Sequence, residues 1–157
     1  MSGRPGRELY HSAMIVRADG TRTAVEMAPG WTKRGERGVV AEGPVGARLL
    51  GRPRLFRYEI RRWAGGSIPD AAAAVDGPVT VSTRSEVARQ VVELVPRFPA
   101  LVGGRDELRT DDMWNSNSLV AWLLVRADVD VTGTRPPRGG RAPGWDAGVI
   151  AATRPPG

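Results

Sequence analysis

The sequence predicts an α+β fold, a small antiparallel sheet packed on a buried helix. Three observations predict it: an Asp19-Gly20 pair between two β-prone runs, an alternating segment at 54–63, and a run at 114–128 that is apolar on every side. The chain has 157 residues, which fits one domain over 8–152 with short tails at 1–7 and 153–157. Hydrophobic residues make up 41% and charged residues 25%, close to globular averages, so wholesale disorder is set aside.

Taken in order, residues 8–17 and 21–28 read as two strands joined by the Asp19-Gly20 turn, the strongest short hairpin signal. A short strand is expected at 39–41, broken by Glu42-Gly43-Pro44. In the strand at 54–63, Phe56, Tyr58 and Ile60 share one face and Arg57, Glu59 and Arg61 the other. Six arginines fall between Arg48 and Arg62, which reads as a solvated sheet face or as an anion-binding strip. Ser67-Ile68-Pro69-Asp70 predicts a short helix at 68–75, with Ser as cap and Pro and Asp early. Thr83-Arg84-Ser85-Glu86 is a capping-box pattern, and Val87, Val91, Leu94 and Val95 behind it recur at helical spacing, predicting an amphipathic helix at 84–95 that Pro96 and Pro99 end. The run at 114–128 is expected as a helix buried all round, capped by Asn115 or Ser116. Residues 132–144 form a loop long enough to be functional or disordered, and 145–152 is expected to return as a last strand.

Composition narrows the chemistry. There is no cysteine, which excludes disulfides, thiolate zinc sites, iron–sulfur clusters and a cysteine nucleophile. His11 is the single histidine, so mechanisms that need two imidazoles are excluded and no metal or cofactor is expected. Of 23 basic residues one, Lys33, is lysine; against 17 acidic residues the net charge is +6. An arginine bias of this kind more often reflects a GC-rich genome than nucleic-acid binding, and nucleic acid is not the expected partner. No stretch approaches the ~20 apolar residues of a membrane span, and residues 1–7 carry no apolar signal core, so the chain reads as soluble and cytoplasmic.

Two groups carry candidate chemistry. A two-residue turn at Asp19-Gly20 sets Ala13 opposite Glu26 and His11 opposite Ala28, which makes His11 and Glu26 diagonal neighbours with Cα atoms ~7–8 Å apart. A carboxylate there would fix the imidazole tautomer and stabilise imidazolium. The second group is Asn115-Ser116-Asn117-Ser118 at the mouth of the buried helix. Free amides and the helix dipole at that end favour a developing oxyanion. Ser116 is the nucleophile by position, with Asn115 offering its amide to the oxyanion; Ser118 is the other serine in play. A serine alcohol needs an adjacent base, and His11 is the only imidazole on offer. Each residue also has a plainer account: His11 as a packed or surface side chain, Glu26 as a solvated one, and Asn115 or Ser116 as a structural helix cap.

The ordered landmarks resemble the permuted papain-like branch of the NlpC/P60 superfamily, which includes lecithin retinol acyltransferase-like and PPPDE-type proteins. There a strand histidine comes first, often with a polar residue on the next strand, and an Asn-Cys pair opens a buried helix much later. The matching residues are Tyr10-His11-Ser12-Ala13-Met14-Ile15-Val16, then Glu26, then Asn115-Ser116-Asn117-Ser118. The pattern is more similar still to a bacterial family with a Pro-Asn-Ser-Asn-Thr-Phe motif, an Ala-Trp pair and a downstream Pro-Pro and Gly-rich segment. Here these are Trp114-Asn115-Ser116-Asn117-Ser118-Leu119, Ala121-Trp122, and Pro136-Pro137 through Gly144-Trp145-Asp146-Ala147-Gly148. Position 116 is serine where the superfamily carries cysteine. The resemblance implies a permuted papain-like α+β domain and an acyl-transfer ancestry.

The expected function is therefore serine-dependent acyl chemistry, a hydrolase or acyltransferase acting on an amide, ester or thioester of a small molecule or peptide, with Ser116, His11 and Glu26 in line and the Ser116 backbone amide and Asn115 at the oxyanion. Two alternatives stay open: a non-catalytic module that binds an anionic ligand on the same scaffold, and a non-covalent acid–base or cyclisation enzyme of secondary metabolism.

Overall fold

The computed structural model describes residues 10–30, 38–50, 53–65, 68, 77–134, 136 and 140–154. Four antiparallel strands form one sheet in the order β1-β2-β4-β3, and three helices accompany it, an α+β arrangement. Strands β1 (Met14–Ala18) and β2 (Thr21–Pro29) meet at Asp19-Gly20, where φ is +50° and +74°. Positive φ at both turn residues matches the right-handed twist of the strands it joins. Met14 lies opposite Val25 and Ala18 opposite Thr21, the register the turn predicts. The strand begins only at Met14, however, so residues 10–13 precede the ladder and His11 is not a strand residue.

Strand β4 (Arg57–Ala64) lies between β2 and β3 (Val39–Pro44). The expected break at 42–44 does not occur: β3 runs through Pro44 because it is an edge strand, where one side of the backbone needs no ladder partner. Gly43 is required there, since a Cβ would fall 2.1 Å from the Tyr58 ring. The beginning of the expected strand, Arg54–Phe56, is instead a 3-10 turn.

One sheet face carries Val16, Val25, Tyr58 and Ile60 into the core, where they join Val87, Val91 and Leu94 of α1 (Ser85–Leu94) and Leu119, Trp122 and Leu123 of α2 (Ser116–Arg126). Fully burying a Leu- or Ile-sized side chain is worth roughly 1.5–3 kcal/mol. The other face is not simply solvated, since it buries an ion pair. Arg61 donates to Glu59 from Nη2 at 2.6 Å and from Nε at 3.0 Å, and its Nη1 lies 3.7 Å from Glu26, directly across the β2–β4 ladder. Glu59 and Arg61 are both buried. Arg57 pairs with Glu42, Arg62 donates to the Val92 carbonyl, and Arg48 pairs with Glu107. Arg48, Arg57, Arg61 and Arg62 are thus held by the protein's own acceptors.

Helix α1 presents the predicted apolar face, but the capping box is not formed. Its N-cap is Arg84, whose amide donates to Ser82 Oγ, one residue past the position a Thr83 cap requires. The helix expected at 68–75 lies outside the described residues, apart from residue 68. Helix α2 is buried almost all round, from Asn117 to Leu124, as its composition predicts. Phe98 stacks on Trp114 at 4.7 Å and meets Trp122 edge-on at 5.7 Å, fixing the chain that enters α2.

The expected last strand at 145–152 is a helix, α3 (Trp145–Thr153), which also takes in the first residue of the expected tail. A short apolar run does not distinguish a buried strand from a buried helix by periodicity. Two features decide in favour of the helix. Asp112, from before α2, caps its start, accepting from the Gly144 amide at 2.5 Å and the Asp146 amide at 3.2 Å. Gly148 then lets α3 lie directly on α2; a Cβ there would sit 2.4 Å from the Ser118 carbonyl oxygen. No helix among the described residues is long and apolar enough to cross a membrane.

Two outcomes follow from this packing. Gly148→Leu forces α3 off α2 and should cost about 3 kcal/mol, a fall in Tm of roughly 6–12 °C, whereas Gly133→Ala, whose added Cβ meets nothing within 4 Å, should leave Tm near wild type in a thermal melt. Burial pushes the Tyr58 phenol up to about 12, with its hydroxyl donating to the Leu101 carbonyl at 2.8 Å. The folded chain therefore holds this proton more tightly than the unfolded chain. That stabilisation is complete below about pH 10 and is lost as pH rises through about 12, on the order of 2–3 kcal/mol in all. Melts taken from about pH 9 upward should fall less steeply for Tyr58→Phe than for wild type, although the variant starts lower.

Candidate active site

The site is built on the N-terminus of α2. Asn115 caps it in extended conformation: its Oδ1 accepts from the Asn117 amide at 2.8 Å and also from the Ser118 amide. Ser118 Oγ returns the favour by accepting from the Asn115 amide at 3.0 Å, a reciprocal capping box. The Ser118 hydroxyl in turn donates to the Gly144 carbonyl at 2.7 Å and has no solvent exposure. It is committed to structure.

Ser116 is the first helical residue, half-buried, with its Oγ 3.3 Å from His11 Nδ1. The two residues are 105 positions apart in the chain. With the neutral tautomer that leaves Nδ1 bare, the hydroxyl donates to the ring; such bonds are often long before substrate arrives. His11 itself is exposed. Its neighbour Tyr10 is pinned from both sides: the Tyr10 amide donates to the Arg141 carbonyl at 3.0 Å, and the Tyr10 carbonyl accepts from Asn117 Nδ2 at 2.8 Å.

Two expected roles are not borne out by this geometry. Glu26 lies on the sheet face with Arg61, and among the described residues it makes no hydrogen bond to His11. The reason is the late start of β1, which takes His11 out of the ladder that would have made the two neighbours. Asn115 is not aimed at an oxyanion either. Its Oδ1 caps the helix and its Nδ2 donates to the Pro143 carbonyl at 2.7 Å. The donor left over is the Ser116 amide, for which no acceptor is found among the described residues. It stands where the helix dipole places about +0.5 charge.

Residues that sequence reasoning passed over complete the scaffold. Asn117 is 1% exposed, and its Nδ2 donates to both Tyr10 and Pro143 carbonyls at 2.8 Å. Gly144, at φ +93°, approaches so closely that a Cβ would lie 2.2 Å from Asn115 Oδ1. The available signals were a polar residue inside an otherwise apolar helix and a Pro143-Gly144 turn pair. Among the described residues, no group of three or more His, Asp or Glu side chains is gathered where it could hold a metal ion. No family model, curated protein or solved structure matches the chain.

The two serines should separate cleanly in stability measurements. Ser118→Ala leaves the Asn115 amide and the Gly144 carbonyl without their shared partner and should cost about 2–3 kcal/mol. Ser116→Ala should stay within ~0.5 kcal/mol of wild type in chemical denaturation. Equal losses would mean the two hydroxyls share the structural work.

Proposed function

We propose that the chain is a serine-dependent acyl-chemistry enzyme, a hydrolase or acyltransferase acting on the amide, ester or thioester of a small molecule or peptide in the cytoplasm. The observation that carries this reading is the approach of Ser116 Oγ to His11 Nδ1 at 3.3 Å, between the only histidine and a helix-terminal hydroxyl. The order of landmarks, histidine first and nucleophile helix later, supports placing the domain among permuted papain-like proteins, with serine in the nucleophile's place.

In this mechanism Ser116 Oγ attacks the carbonyl carbon while His11 Nδ1 takes the hydroxyl proton. The carbonyl oxygen gains the negative charge and is met by the Ser116 amide and the helix dipole. When the tetrahedral adduct collapses, the bond to the leaving group breaks and the leaving group takes the proton from His11. Water or an amine then attacks the acyl-serine, gives its proton to His11 and releases the acid or the transferred product, with the proton returned to Ser116. Asn115 contributes by capping the helix, and the imidazolium works without Glu26.

A fluorophosphonate probe with peptide mapping tests the reading. Wild type should form an adduct at Ser116 that disappears in Ser116→Ala, and its rate should fall ~100-fold or more in His11→Ala. An adduct mapped elsewhere, an undiminished rate in His11→Ala, or no adduct with either the probe or activated acyl esters would overturn it.

A further inference from the structure

We propose that Asn117 is a positioning residue for the Ser116–His11 pair, a role that presupposes that these two groups act together. A buried asparagine is costly unless its amide is fully used. In α2 it is, beside Ser118, one of two polar residues on the buried surface, and capping does not account for it: Asn115 and Ser118 already supply the side chains of the cap. The Asn117 Nδ2 instead donates both hydrogens out of the helix, one to the Tyr10 carbonyl and one to the Pro143 carbonyl, each at 2.8 Å. Its Oδ1 is buried without a hydrogen-bond donor among the described residues. The side chain is thus held for its two donors, at the expense of its acceptor.

Both acceptors matter to the pair. Tyr10 immediately precedes His11 in a segment that the β ladder does not reach, since β1 starts at Met14. The Pro143 carbonyl is shared with Asn115 Nδ2, from the residue immediately before Ser116. One amide group therefore ties the base's segment to the same carbonyl that steadies the nucleophile's cap. Removing it takes away the hydrogen bond between Tyr10 and α2, leaving the Tyr10 amide bonded to Arg141, and a displacement of about 1 Å between His11 and Ser116 suffices to cost ~100-fold in a reaction of this kind.

The single imidazole makes a direct test practical, because in the full chain with labelled histidine every ring signal in the NMR spectrum belongs to His11. Ser116→Ala should shift the His11 ring signals in the wild-type background and leave them nearly unmoved in the Asn117→Ala background, while fluorophosphonate labelling of Ser116 falls ~100-fold in Asn117→Ala. An equal Ser116→Ala shift in both backgrounds overturns the role, as does no shift in wild type. Should Asn117→Ala fail to fold, hydrogen exchange of the wild type decides: the Asn117 side-chain NH₂ and the Tyr10 amide should exchange as slowly as the α2 backbone, and rapid exchange of either overturns the role. Loss of the Ser116 effect in Asn117→Ala, with a wild type that forms no adduct, keeps the positioning role and removes the acyl chemistry. Normal labelling in both backgrounds with an undiminished Ser116 effect does the reverse.

Discussion

The structure depends on how the first turn of α2 satisfies its backbone. A helix buried from Asn117 onward brings the Asn117 and Ser118 amides into an interior where water cannot serve them, and each one left unpaired would cost about 1–3 kcal/mol. The local sequence answers with two side chains, Asn115 and Ser118, that cap each other's backbone. They spend their remaining hydrogen-bonding capacity on Pro143 and Gly144. The cap thereby becomes the joint through which the segment before α3 is fastened to α2, and Gly144 and Gly148 are glycines because that joint admits no Cβ.

This constraint also explains why Ser116 is available. With Asn115, Asn117 and Ser118 all drawn inward by the cap and its acceptors, the first helical position is the one whose hydroxyl and amide face away from that network. Its environment combines the positive end of a buried helix with an imidazole that no carboxylate holds among the described residues. The protein's ionic pairing is concentrated elsewhere, on the far face of the sheet, where Arg61 is packed between Glu59 and Glu26. Such a pair adds little net stability compared with apolar packing, but breaking it strands a buried charge.

Local patterns were legible in the chain: the Asp19-Gly20 turn and its register, the amphipathic face of α1 and the buried α2 all follow from spacing and composition. The encounter of Ser116 with His11 was foreseen from chemical necessity, through the scarcity of bases, with the ring placed on a strand that in fact begins three residues later. What escaped were effects of partners distant in sequence. The identity of α3 depends on a cap from Asp112 and on contact with α2, neither visible in residues 145–152 themselves. Glu26 was assigned to His11 by an idealised ladder, yet the strand on its other side supplied Arg61. Asn115 had two plausible tasks from sequence, and the buried helix terminus claimed it for the structural one.

The segment that carries His11 is tied to α2 through Asn117 and to the Arg141 carbonyl, ahead of the point where the hairpin ladder begins at Met14. The hairpin ladder itself reaches neither Ser116 nor His11. Its strands serve the site indirectly, by packing Val16 and Val25 against the same core that holds α2 in place.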